Sequence, residues 1–128
     1  MSKLSYVNVF ARDIEALSGF YQRVFDFPEV EAIRSPIFVG LDAGTCCIGF
    51  NAPDAYELLH LAEHSDTSGC KFLLNIDVES PAEVDRMVPI AVEAGATLIK
   101  PPYTTYYNWY QAVLMDPEGN VFRINHMM

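Results

Sequence analysis

Hydrophobic and polar positions follow an order that occurs twice along the chain. Residues 4–11 alternate with a period of two, which predicts a half-buried strand. Asp13 then precedes apolar residues spaced as on one side of a helix, over residues 14–25. Prolines and glycines divide the next segment into three short strands, near 29–34, 36–42 and 45–51. The first half therefore predicts a strand, a helix and three further strands.

The second half repeats this order after a short helix over residues 53–64 and a polar linker, residues 65–69. Residues 70–78 predict a strand, and Ser80 begins a capping box with proline at the first helical position. Three strands follow, near 97–100, 109–115 and 120–126. We predict one α+β domain, residues 1–128, built from two modules at about 3–65 and 69–127.

Aligning the first strands of the two halves places two asparagines in equivalent positions. The segments YVNVF (6–10) and LLNID (73–77) align so that Asn8 matches Asn75. Buried amides need hydrogen-bond partners, so these residues suit either a partly polar binding face or a sheet face that is half exposed to water. The pattern alone leaves both interpretations open.

Composition excludes several classes of partner. With 128 residues, 51% of them hydrophobic, the chain can bury a core without disulfides. Its net charge of −9 opposes binding to nucleic acid and to anionic membranes. No apolar run is long enough to span a membrane, and the N-terminal residues predict no secretory signal. Three cysteines, an odd number, favour reduced thiols and a cytoplasmic location.

Aromatic residues are concentrated in one short segment of the second half. Five of the eight residues from 103 to 110 are aromatic, namely Tyr103, Tyr106, Tyr107, Trp109 and Tyr110. Tyr and Trp combine apolar rings with hydrogen-bonding groups, which is typical of small-molecule and partner surfaces. We predict the rim of a binding site for a planar aromatic or cationic ligand. A dimer contact or a hydrophobic lid would give the same pattern.

Three segments together resemble one protein family. They are ALSGFYQRVFDFPEV, GATLIKPPY and AVLMDPEGNVFRIN. They are similar to segments of the vicinal oxygen chelate superfamily, which contains glyoxalase I, the extradiol dioxygenases, and the fosfomycin and bleomycin resistance proteins. The resemblance implies paired βαβββ modules that form a curved mixed sheet around a central cavity. It also implies a homodimer.

The resemblance further implies positions for metal ligands, and these positions hold unsuitable residues here. The matching residues are Tyr6, Leu73 and Arg123. A phenol binds metals poorly at neutral pH, an aliphatic side chain offers no lone pair, and a guanidinium repels a cation. We therefore expect neither a metal nor another cofactor. The alternative is a glyoxalase-like lyase or isomerase, or an extradiol-type dioxygenase, with metal ligands at Cys47, Asn51 or His126.

Two other residue patterns have a structural and a functional interpretation. Arg123 either binds a carboxylate or phosphate of a ligand or forms an internal ion pair with Asp77, which we favour. His60 and His64 lie within an H-x-x-E-H sequence that resembles a zinc-protease motif. A protease of that type needs a larger helical domain, so we expect an exposed helix end.

Taken together, the residues predict a non-catalytic protein that binds a small hydrophobic or aromatic molecule, similar to the bleomycin resistance proteins. A dimeric interaction subunit is a further alternative. The predicted ligand-binding residues are Tyr6, Asn8, Phe10, Asn75, Asp77, Tyr106, Tyr107, Trp109, Tyr110 and Arg123.

Overall fold

The structure, a computed structural model, describes residues 1–66 and 68–128. Thr67, in the predicted linker, lies outside the described residues. The chain divides into two compact units, Met1–Ser68 and Gly69–Met128, and the boundary falls within that linker. None of the helices in the described part of the chain has the length and apolarity needed to cross a membrane.

The first unit contains a three-stranded mixed sheet. Its elements are β1 (Tyr6–Phe10), α1 (Ile14–Phe25), β2 (Phe38–Asp42), β3 (Cys47–Asn51) and α2 (Asp54–Leu58). The strands lie in the order β1-β3-β2, with β1 parallel and β2 antiparallel to β3. The predicted helix over 53–64 is shorter than expected, because α2 ends at Leu58 and only a 3-10 turn follows, at Ala62–His64.

The strand predicted near 29–34 is wrong. This segment contains a 3-10 turn at Glu31–Ile33 and keeps a single antiparallel bridge, between Glu29 and Leu41. Arg34 forms two hydrogen bonds with Glu29, at 2.6 and 2.9 Å, and a third with Glu15 of α1. The backbone amides of Ile33 and Arg34 donate to Val30 and Glu31 of the same segment and not to a neighbouring strand, so the first sheet has three strands and not four.

The second unit contains a four-stranded mixed sheet with one helix. Its elements are β4 (Leu73–Asp77), α3 (Pro81–Glu93), β5 (Thr97–Thr104), β6 (Trp109–Met115) and β7 (Val121–Met127). The strands lie in the order β4-β7-β6-β5, with β4 parallel to β7 and the other pairs antiparallel. The α+β class is confirmed, and β5 runs four residues beyond the predicted strand near 97–100. A central cavity and a single domain stay predictions.

The predicted repeat is visible in the backbone of both units. The amide of Ala11 donates to the carbonyl of Asn51 at 2.9 Å, and the amide of Val78 donates to the carbonyl of Asn125 at 2.7 Å. The long helix of each unit begins with a side-chain cap, since Asp13 accepts from Ala16 in α1 and Ser80 accepts from Glu83 in α3. The same local signals therefore begin the same path in both halves.

Each unit buries the sheet face that packs against its long helix. In the first unit the buried Phe50 of β3 lies 5.7 Å from the ring of Tyr21 of α1. In the second unit the buried side chains Ala112, Leu114, Phe122 and Ile124 form the equivalent face. Successive strand residues point to opposite faces. We call the face on the other side from the helix the far face of each sheet.

Candidate functional site

The far face of the first sheet carries three of the predicted ligand-binding residues. Tyr6, Asn8 and Phe10 alternate with Val7 and with the buried Val9 along β1, so they share this face. The ring of Phe10 stacks on that of Tyr56 at 4.0 Å with an interplanar angle of 11°. Aromatic packing of this kind stabilises the face and leaves that ring surface covered.

Two glycines at the middle of the first far face make room for neighbouring side chains. Gly49 pairs with Asn8 on one side and with Gly40 on the other. A Cβ atom on Gly49 would lie 2.1 Å from Asn8 Oδ1 and 2.7 Å from the Phe38 ring. Asn51 Nδ2 donates to Asn8 Oδ1 at 3.1 Å. The space beside Gly49 is thus occupied by Asn8 and Phe38.

Tyr6 lies at the end of this face, in register with Cys47 of β3. Burial raises the pKa of the Tyr6 phenol, and a hydrogen bond with Cys47 and the charge of Asp42 add to the increase. The phenol is therefore protonated at neutral pH. A protonated phenol is a poor ligand for a divalent cation.

The far face of the second sheet carries a row of polar residues, one from each strand. Strand register aligns Asp77 of β4, Asn125 of β7, Gln111 of β6 and Tyr103 of β5. We call these four residues the polar row. Asn125 Nδ2 donates to Asp77 Oδ1 at 2.8 Å, and Gln111 Nε2 donates to the Tyr103 hydroxyl at 3.0 Å. These bonds support the register-based assignment of all four to one face.

The two central residues of the polar row are buried and only partly satisfied. Asn125 is 0% exposed and Gln111 is 2% exposed. Within the described part of the chain, Asn125 Oδ1 and Gln111 Oε1 have no hydrogen-bond partner. Each such group costs about 1–3 kcal/mol of stability. Buried polar groups without partners are rare and often mark functional positions.

Arg123 lies beside the polar row on the same face of β7, two residues before Asn125. Its Nη1 donates to the Tyr107 hydroxyl at 3.2 Å. Its Nε is buried and lacks a partner among the described residues. The predicted ion pair with Asp77 is wrong, because no such contact occurs in the described chain and the Asp77 carboxylate accepts from Asn125 instead. Asn75 lies opposite Arg123 in the neighbouring strand.

The aromatic segment forms the hairpin between β5 and β6. Thr105 and Trp109 close its turn, in which Asn108 adopts a left-handed conformation with φ of 66°. The Tyr107 ring packs edge-to-face on Trp109 at 5.1 Å and on Tyr106 at 4.9 Å. Tyr106 is 99% exposed. The Tyr107 hydroxyl therefore joins the aromatic turn to Arg123, whereas Tyr106 lies at the exposed end of the turn.

Tyr110, by contrast, does not join the other predicted residues. It follows Trp109 directly in β6, so it points to the helix side of the sheet. Its hydroxyl donates to Asp85 Oδ1 of α3 at 2.6 Å, and this bond raises the pKa of Tyr110. His126, its register partner, lies on the same side, with Nδ1 2.9 Å from the carbonyl of Val78.

Sequence reasoning missed Gln111, Asn125 and the position of Tyr103 in the polar row. The signal was present, because Gln111 and Asn125 are polar residues within otherwise apolar strands. Alternation gives the face of each residue, but only the strand register shows that both neighbour Asp77.

The residues at the implied metal positions do not fit a divalent cation. The Tyr6 phenol stays protonated, Leu73 offers no donor atom, and Arg123 places a positive charge at its position. His60 and His64 do not share a helix, because α2 ends at Leu58 and His60 has a φ of 58°. Among residues 1–66 and 68–128, no group of three or more His, Cys, Asp or Glu side chains is placed to hold a metal.

Comparison with known proteins identifies similar chains. The family model described as "Glyoxalase/Bleomycin resistance protein/Dioxygenase superfamily" matches residues 3–124. A glyoxalase/bleomycin resistance protein/dioxygenase family enzyme from Burkholderia phytofirmans PsJN is 66% identical, and the match covers 99% of this chain and 100% of that one, with a TM-score of 0.97. No curated protein matches the chain.

More distant solved structures share the fold alone. A glyoxalase-related enzyme from Fulvimarina pelagi is 19% identical, with coverage of 99% of this chain and 89% of that one and a TM-score of 0.87. A lactoylglutathione lyase from Agrobacterium tumefaciens is 18% identical, with coverage of 98% and 94% and a TM-score of 0.70.

Proposed function

The chain belongs to the glyoxalase/bleomycin resistance protein/dioxygenase superfamily, and on this premise we propose that it binds a small aromatic molecule on the far face of its second sheet without a divalent metal. One observation carries the proposal. Three buried polar atoms of this face, Asn125 Oδ1, Gln111 Oε1 and Arg123 Nε, have no partner in the described chain. A bound molecule would supply those partners and recover the free energy that their burial costs.

The neighbouring rings support an aromatic ligand. Tyr107 hydrogen-bonds to Arg123 and packs against Trp109, which lies on the same far face. Rings held in fixed positions beside polar groups lose little conformational entropy when a planar ligand stacks on them. The polar row would then orient the ligand, and the rings would supply most of the apolar contact area.

The competing function is metal-assisted catalysis by a lyase or dioxygenase with unusual ligands. Of the candidate ligands, Cys47 and Asn51 lie on the far face of the first sheet, and His126 lies on the helix side of the second. Elemental analysis of purified protein separates the two functions. We expect less than stoichiometric Zn, Ni and Fe, and stoichiometric metal that is lost together with activity would favour the enzyme.

Trp109, the only tryptophan of the chain, provides the binding assay. A panel of soluble one- and two-ring aromatic amides, phenols, carboxylates and amines is titrated while the Trp109 fluorescence is recorded. We expect saturable quenching by a subset of the panel. A flat response to every compound, confirmed by calorimetry, would contradict the proposal.

Matched variants locate the binding. Gln111→Met removes a buried polar group of the far face, whereas Tyr110→Phe removes a hydroxyl from the helix side of the same strand. We expect weaker binding in the first variant and unchanged binding in the second. Equal affinities in both would place the binding elsewhere on the molecule.

The homodimer implied by the family resemblance stays a prediction, and sedimentation equilibrium tests it. An interaction subunit would show its aromatic hairpin exposed in a stable dimer and would bind none of the panel. Such a result would favour the alternative of a partner protein over a small ligand.

A further inference from the structure

Resting on the proposed function, we infer that the aromatic ligand carries a primary carboxamide, or a group with the same two N–H donors and one carbonyl acceptor. The inference comes from the kind of atom that each buried side chain leaves without a partner. Two of these atoms are acceptors and one is a donor. A primary carboxamide is a small planar group that offers the complementary set.

The identity of the acceptor on Asn125 is fixed by its neighbour. The carboxylate of Asp77 can only accept, so the Asn125 amide must present its nitrogen, which donates at 2.8 Å. Its oxygen is then the atom for which the described residues supply no partner. Because a buried amide oxygen accepts hydrogen bonds only, the ligand must bring a donor to this position.

Gln111 supplies the second acceptor beside the first. It is the direct register partner of Asn125 on the neighbouring strand. Side chains at paired positions of antiparallel strands begin about 4.5–5.5 Å apart on one face. Gln111 Nε2 donates to Tyr103, and Oε1 is an acceptor with no partner within residues 1–66 and 68–128. Two acceptors side by side suit the two diverging N–H bonds of one –NH₂ group.

Arg123 supplies the donor for the carbonyl oxygen. It lies two residues before Asn125 on the same strand face, which is about 6–7 Å along the strand. Nη1 donates to the Tyr107 hydroxyl, and Nε is the buried donor that has no partner in the described part of the chain. A carbonyl oxygen is a neutral acceptor that a guanidinium binds well.

Two head groups of the same shape are disfavoured by the same atoms. A carboxylate has no donors, so its oxygens would face the oxygens of Asn125 and Gln111. An amidinium has donors only, so its positive charge would face Arg123. Because the three head groups have the same size and shape, a preference among them reports the hydrogen-bond pattern. Simple charge attraction to the acidic chain would instead favour the cation.

The test compares 2-naphthamide, 2-naphthoate and 2-naphthamidine as ligands of the whole protein. Dissociation constants are measured by ligand-observed NMR at one pH and ionic strength. We expect 2-naphthamide to bind at least tenfold more tightly than either analogue. Comparable affinities, or a preference for the naphthoate or the naphthamidine, would overturn the carboxamide assignment while leaving aromatic binding intact. Absence of binding by all three compounds would also overturn the carboxamide assignment. If the wider panel fails to bind as well, the proposed function is overturned.

Variants assign the preference to the residues named. Arg123→Met should remove most of the discrimination against 2-naphthamidine, because the opposing charge is gone. Gln111→Met should lower the affinity for 2-naphthamide about tenfold and change that for 2-naphthoate little. Circular dichroism and urea unfolding establish that each variant is folded. Discrimination that survives in both folded variants would overturn the assignment.

Discussion

The far faces of the two sheets are equivalent by strand register, yet their chemistry differs. Gly49 lies opposite Asn8 in the first sheet, and Arg123 lies opposite Asn75 in the second. On the first face the glycine lets Phe38 and Asn8 fill the space. On the second face the equivalent position carries a guanidinium whose buried Nε has no partner in the described chain. The space at the centre of the first face is thus occupied by its own side chains, whereas the second face keeps hydrogen-bonding capacity.

The difference between the two faces indicates which of them binds a ligand. On the first face the Asn51 amide donates to Asn8 Oδ1, and Asn8 itself is exposed to water. On the second face the described residues offer no partner to buried atoms of Gln111 and Asn125, at a cost in stability. A costly arrangement on one face only is where we expect a binding site, because a ligand can recover the cost.

The largest expected effect is on the first face. Gly49→Val would place a Cβ atom against Asn8 and Phe38, so the side chains or the backbone must shift. We expect the free energy of unfolding to fall by about 3 kcal/mol. Urea unfolding measures it, with Gly19→Ala as the control. Gly19 has free space in α1, so this substitution should stabilise the protein by about 1 kcal/mol. An unchanged free energy of unfolding for Gly49→Val would show that the space beside Gly49 is not occupied.

On the second face, Arg123→Met should weaken binding of the best aromatic ligand at least tenfold, because a charge-assisted hydrogen bond is lost. Calorimetry measures the affinity. The free energy of unfolding should change little, since the arginine contributes one hydrogen bond, to the partly exposed Tyr107. Loss of stability with retained affinity would reverse the roles assigned to the two faces.

Gln111→Met should have opposite effects on stability and binding. It removes a buried oxygen that has no partner among the described residues, and it also removes one hydrogen bond to Tyr103. We expect the free energy of unfolding to rise by about 1 kcal/mol while ligand binding weakens. Gln111→Glu, which buries a charge at the same position, should destabilise the protein. If Gln111→Met destabilises as well, the oxygen has a partner in solution.

The smallest effects distinguish two tyrosines of one hairpin. Tyr107→Phe should weaken ligand binding severalfold, because Arg123 loses its hydrogen-bond partner. Tyr110→Phe should leave binding unchanged, lower the free energy of unfolding at neutral pH because the bond to Asp85 is lost, and reduce its further fall at alkaline pH. The hydrogen bond to Asp85 raises the pKa of Tyr110 above its ordinary value of 10.0.

The sign of the pH effect follows from proton binding. The folded protein holds the Tyr110 proton more tightly than the unfolded chain does, so stability falls as the pH rises above about 10. Tyr6 and Tyr56 have raised pKa values too and contribute to the same fall. Urea unfolding at neutral and alkaline pH should therefore show a smaller fall for Tyr110→Phe than for the parent protein. Identical falls would contradict the role of the Asp85 bond.

Features set by local sequence could be predicted. Asp13 and Ser80 cap their helices, and the turn at 116–120 forms through Asp116, because each signal acts within a few residues. The strand predicted near 29–34 is wrong because the amides of Ile33 and Arg34 bond within their own segment. The pattern of apolar and polar residues does not distinguish this short turn from a strand.

The site was predicted less completely, for two reasons. Neighbouring residues of a strand point to opposite faces, so the sequence alone already indicated that Trp109 and Tyr110 cannot share a sheet face. The polar row, by contrast, depends on the register of four strands that are up to 48 residues apart in sequence. Chain position alone does not fix that register.

Side-chain NMR of the protein with saturating ligand identifies the face to which the ligand binds. The amide groups of Asn125 and Gln111 and the Nε–H of Arg123 report on the second far face, and the amides of Asn8 and Asn51 report on the first. We expect large chemical-shift changes for the groups of the second face and unchanged resonances for those of the first. Shifts confined to Asn8 and Asn51 would contradict binding on the second far face.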